Sequence, residues 1–110
     1  MNINDISEIH FRQLAKVAGY SYLTKIWRHS ACFINPKNGE KELIKKSICL
    51  VDYSKEEYSE SPYFKQLFIL DLDKFEFSFA DYRKNENKIN QAIRNQNLVF
   101  KKLIDLGYDL

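Results

Sequence analysis

Between Tyr63 and Tyr82 the chain reads YFKQLFILDLDKFEFSFADY, and the parity of its large apolar side chains switches once, at Asp73-Lys74. Phe68, Leu70 and Leu72 alternate with their neighbours on one side of that pair; Phe75, Phe77 and Phe79 alternate on the other. Successive side chains of a strand point to opposite faces, whereas directly paired residues of two strands point the same way. A two-residue turn at Asp73-Lys74 therefore pairs Leu72 with Phe75, Leu70 with Phe77 and Phe68 with Phe79, and gathers all six side chains on one face. The same register sets Asp71 against Glu76, a like-charge pair that is mildly destabilising unless something relieves it. A cation, Lys74, a basic side chain from a partner, or a bulge would do so.

The rest of the chain supplies partners for such a sheet. Asp5, with Glu8 three residues on, forms a capping-box-like start to a helix that Gly19 ends. Ile6, Phe11, Leu14, Val17 and Ala18 give that helix one apolar stripe, with His10 at its edge. Tyr20 to Ile34 mixes helical and strand spacing, and the stretch from Trp27 to Ile34 favours a strand. Asn35-Pro36-Lys37-Asn38-Gly39 is the strongest turn signal and predicts a hairpin whose second arm runs to Tyr53. Within that arm Ile48-Cys49-Leu50-Val51 is apolar on both parities, as expected of a central strand covered on both faces. A last helix is expected from near Asn85 to Gly107, carrying Ile89, Ala92, Ile93, Val99, Phe100, Leu103 and Leu106. The order predicts one α+β domain over residues 1–110: an antiparallel sheet of about four strands from two hairpins, flanked by an N-terminal and a C-terminal helix packed on one face.

Charge divides the chain more sharply than its net value of +2 suggests. Residues 1–50 carry eight Lys/Arg against four Asp/Glu; residues 51–82 carry three against eight; residues 83–110 carry six against three. An acidic middle of this kind forms a field that attracts a basic partner when its carboxylates cluster on the surface. Two cysteines are too few for a disulfide framework, no basic-then-apolar leader opens the chain, and an apolar run such as Leu67 to Leu70, four residues and unsurpassed in length, is far too short to cross a bilayer. These features predict a cytoplasmic protein with reduced cysteines and no membrane contact.

Few residues point to chemistry. Leu70-Asp71-Leu72-Asp73-Lys74-Phe75 resembles the L-D-x-D-x-F element of diguanylate cyclase (GGDEF) and related polymerase-palm domains, and that resemblance implies a metal-ligating Asp71 at a strand end. It covers six residues and lacks the glycine-rich acidic turn that completes the site in those families. The competing reading is a hairpin turn with solvated carboxylates. His29 and Cys32 form one close-spaced pair, but a structural zinc site needs two, and His10 and Cys49 are scattered. Cys49 within an apolar strand is expected to be unreactive. The isolated glycines build no phosphate-binding loop. No catalytic residue, metal or cofactor is expected.

Two binding readings remain. Trp27 and Arg28, with Arg83, Lys84 and Lys88 at the start of the last helix, offer the aromatic and basic groups that nucleic-acid binding needs. The leading expectation is different: a non-enzymatic protein-binding or inhibitor protein, of the toxin-immunity or phage anti-defence type. It would cover a basic partner, such as a nuclease or defence complex, through Asp52, Glu56, Glu57, Tyr58, Glu60, Tyr63, Asp71, Asp73 and Glu76. Tyrosines would act as desolvated anchors there and carboxylates would steer the encounter.

Overall fold

The computed structural model describes residues 1–20, 25–28, 30–36, 38–51, 66–80 and 85–109, the side chains of Lys25 and Gln66 excepted. A 3-10 turn over Ile3–Asp5 leads into helix α1, Glu8–Val17. Strands β1, Lys25–Trp27, β2, Ala31–Ile34, β3, Lys41–Ile44, and β4, Ser47–Val51, follow in order. Strands β5, Gln66–Asp71, and β6, Glu76–Phe79, come next, and helices α2, Glu86–Arg94, and α3, Gln96–Asp105, complete the chain. The fold is α+β, with helices at both ends and an antiparallel four-stranded sheet in the order β1-β4-β5-β6.

The four strands come from two hairpins, as the sequence suggests, but the first hairpin bends. Its base is β1 with β4, pairing Trp27 with Cys49, and its tip is β2 with β3, pairing Ala31 with Ile44. Between base and tip the register slips by one residue, across the bends at Lys45 and Lys46. An extra residue in one arm increases local twist and re-aims the strand, so the tip leaves the sheet and lies over one of its faces as a separate two-stranded unit. Ala31 and Phe33 thereby pack on Cys49, Val51, Ile69 and Ala80. The arm that was apolar on both parities becomes β4, buried along its whole length between β1 and β5.

The opposite face carries the main core. Phe68 is fully buried there, with ring centroids 5.2 Å from Phe11, 5.9 Å from Tyr20, 5.2 Å from Phe77 and 5.8 Å from Phe79. Leu70, Leu72 and both β6 phenylalanines join it, and Phe75 packs at its edge. Phe11 and Leu14 of α1, Ile89 and Ala92 of α2, and Val99 and Leu103 of α3 contribute to the same cluster, so the helices share one face of the sheet.

Three local expectations need correction. Ser7, not Asp5, caps α1, its hydroxyl accepting from the His10 N–H at 3.1 Å. Asp5 is spent in the 3-10 turn, which draws Ile6 into the core before the helix begins. The β5–β6 loop is longer than two residues: the register is as expected, Asp71 with Glu76 and Phe68 with Phe79, but Leu72 to Phe75 form a four-residue turn. The last helix is broken at Asn95, which ends α2 and starts α3. The Asn95 side chain instead donates to the Val17 carbonyl at 3.3 Å, satisfying the end of α1 rather than its own helix. Gly19 and Gly107 stop their helices in left-handed conformation, φ +95 and +91, as their positions suggest. Among the described residues no helix is long and apolar enough to cross a membrane.

Candidate functional site

The β5–β6 turn brings Asp71, Asp73 and Glu76 together. Asp71 ends β5 on the face opposite the phenylalanine cluster and is only 8% exposed. Its Oδ1 accepts the main-chain N–H of Asp73 at 2.9 Å and of Lys74 at 3.0 Å, while its carbonyl accepts from Phe75 at 2.9 Å. An aspartate that takes up backbone donors two and three residues on is a turn-building group. Those two N–H groups also offset the unfavourable position of the carboxylate opposite Glu76. Leu72 N–H donates to the Lys46 carbonyl at 3.0 Å and fastens the turn to the bend between β3 and β4.

Asp73, Lys74 and Glu76 are exposed around this anchor. They form one side of an open groove of about 880 Å³, and the folded-over β2–β3 hairpin forms the other. Glu42 stands on the hairpin wall, its Oε1 held by the Asn35 side-chain amide at 3.1 Å. Leu43, 59% exposed, and Ile93, 36% exposed, add apolar surface on either side. The groove thus carries the carboxylates of Glu42, Asp71, Asp73 and Glu76 against the ammonium groups of Lys45 and Lys74. It is an acidic concavity with apolar margins.

Of the expected partner-binding residues, Asp71, Asp73 and Glu76 therefore share one site. Asp52, Glu56, Glu57, Tyr58, Glu60 and Tyr63 lie outside the described residues, as do Arg83, Lys84 and His29. Glu42, Leu43 and Ile93 were not expected here. Exposed and half-buried residues alternate along Lys41–Ile44, but the order Lys-Glu-Leu-Ile does not alternate polar with apolar, and where that edge faces depends on the bend in the hairpin.

The other candidate groups are engaged in holding the fold. The Arg28 guanidinium donates to the carbonyls of Asn4 (3.3 Å) and Ile6, tying β1 to the N-terminal segment. Lys88 donates to the Gly19 carbonyl at 3.1 Å and closes the C-terminal end of α1. Trp27, 42% exposed, sits on β1 at the sheet margin farthest from β6, its indole N–H donating to the Ser30 carbonyl at 3.1 Å. Burial pushes the Cys49 thiol up to about 12, which removes thiolate at neutral pH and with it nucleophilicity. His10 Nδ1 lies 2.6 Å from the Tyr108 hydroxyl. Among the described residues no three His, Cys, Asp or Glu side chains are grouped so as to hold a metal ion. Asp71 itself builds the turn through its bonds to the Asp73 and Lys74 N–H groups.

Comparison with known proteins gives no matching family model, no matching characterised sequence and no matching solved structure.

Proposed function

We propose that this chain is a non-enzymatic binding protein that engages a basic protein partner, in the manner of immunity or anti-defence inhibitors acting in the cytoplasm. The observation that carries the reading is the convergence of Glu42, Asp71, Asp73 and Glu76 on one groove bordered by exposed Leu43 and Ile93. Carboxylates around apolar anchors give steering and register together with desolvated contact area. An occupant of the groove that is itself a basic active site would be blocked to its anionic substrate. The alternative, nucleic-acid binding, has less support, because Arg28 and Lys88 point their charges at main-chain carbonyls.

The test is charge reversal. Asp73→Lys with Glu76→Lys is compared with wild type in affinity capture of the partner at low and high salt. The expected result is at least a tenfold weaker capture by the variant at low salt, and a wild-type complex that weakens as salt rises. Unchanged capture by the variant at low salt would overturn the assignment of this surface.

A further inference from the structure

Strand β6 ends the four-stranded sheet, and the acidic groove runs along it. Ala80 N–H donates to the Leu67 carbonyl at 2.7 Å, which makes that pair a hydrogen-bonded one. Hydrogen-bonded and non-hydrogen-bonded pairs alternate along an antiparallel ladder. Phe68 with Phe79 and Leu70 with Phe77 are therefore the non-hydrogen-bonded pairs. It follows that the N–H and C=O groups of Phe77 and Phe79 are directed away from β5, to the outer side of the sheet. On that side they have no strand partner among the described residues. Edge strands of natural sheets are commonly blunted by lysine, proline or a bulge; the sequence of β6, Glu-Phe-Ser-Phe, has none of these.

We infer that the partner enters this groove as an extended segment that adds a strand to β6, its side chains alternating basic and apolar. The inference rests on the reading of the groove as a site for a basic partner and adds the mode of binding. Main-chain bonds to Phe77 and Phe79 supply affinity, as in other cases of strand addition, and the two faces select alternate side chains. One face of the added strand meets Glu76, Asp73 and, across the groove, Glu42, which fits Lys or Arg. The other face meets Ile93 beside Phe77 and Phe79, which fits a β-branched residue. The charge of the groove chooses a basic segment over a second copy of this acidic edge.

The probe is the peptide acetyl-Lys-Val-Lys-Val-Lys-Val-Lys-amide, titrated into the full chain while backbone amide signals are followed by NMR. Two further versions carry N-methyl groups on alternate residues, one blocking each edge of the peptide strand. Saturable binding is expected, with slowed exchange of the Phe77 and Phe79 amides and at least a tenfold loss for one N-methylated version. If all three peptides bind alike and Asp73→Lys with Glu76→Lys weakens each, strand addition is wrong and the acidic groove stands. If the charge-reversed protein binds the parent peptide as wild type does, the groove reading itself falls. No binding of the parent peptide at millimolar concentration overturns strand addition, while partner capture judges the groove separately. Protection of Phe77 and Phe79 that rises with protein concentration alone would give the edge to a second copy and overturn the inference.

Discussion

The tip of the first hairpin and the whole of the second turn through loops of the same length, from very different sequences. Four residues separate Asn35 from Glu40 and four separate Asp71 from Glu76. In each loop the fourth residue returns its N–H to the carbonyl before the turn, Gly39 to Asn35 at 2.8 Å and Phe75 to Asp71 at 2.9 Å. In each it is left-handed, with φ +70 at Gly39 and 59 at Phe75. Glycine adopts that conformation freely, whereas a residue with a Cβ does so at about 1–2 kcal/mol. Asn38 and Gly39 thus close the β2–β3 loop by local preference. Phe75 is held by its surroundings: its ring packs at the core edge, 6.1 Å from Phe100, and Asp71 gathers the two N–H groups before it. The same left-handed closing residue can rest on propensity in one place and on tertiary packing in another.

The first way to break this contrast is in the cores beneath the hairpins. Phe68→Ala should cost about 4 kcal/mol in denaturant unfolding, since four aromatic rings converge on it. Phe33→Ala should cost less, about 3 kcal/mol, because the β2–β3 unit packs through a smaller cluster with no other aromatic ring and can settle into the space. Equal losses would make the folded-over hairpin as integral to stability as the central one.

Next come the side chains that close the loops. Asp71→Ala leaves two N–H groups without their acceptor in a part-buried turn and should cost about 2 kcal/mol. Asn38→Ala removes one exposed bond to the Glu40 N–H and should cost about 0.5 kcal/mol. The left-handed residue itself sharpens the comparison most. Phe75→Ala keeps the left-handed strain and loses a half-buried ring, for about 1.5 kcal/mol, while Phe75→Gly recovers about 1 kcal/mol of that loss by relieving the backbone. A glycine variant less stable than the alanine variant, by thermal or denaturant unfolding, would show that Phe75 carries no strain.

The acidic groove was half legible. Asp71, Asp73 and Glu76 fall together because a hairpin brings its own ends together, and alternation sets the register. The opposite wall, Glu42 and Leu43, was not legible, since it arrives only when the first hairpin bends over the sheet. Arg28 and Lys88 illustrate the same limit. Each looks like a free basic residue in the sequence, yet each answers carbonyls of a segment distant in the chain, at Asn4 and Ile6 or at Gly19.

Short-range patterns by themselves determined the pairing of β5 with β6, the apolar arm that became β4, the glycine stops of α1 and α3, and the α+β class. These follow from side-chain alternation and backbone preference, which act within a few residues. Tertiary structure alone decided the neighbour of β4, the exit of β2–β3 onto the second face, the break at Asn95 and the left-handed Phe75. Each of those choices satisfies a buried surface or an orphan backbone group by means of residues far along the chain, and so it exists only once the layers meet.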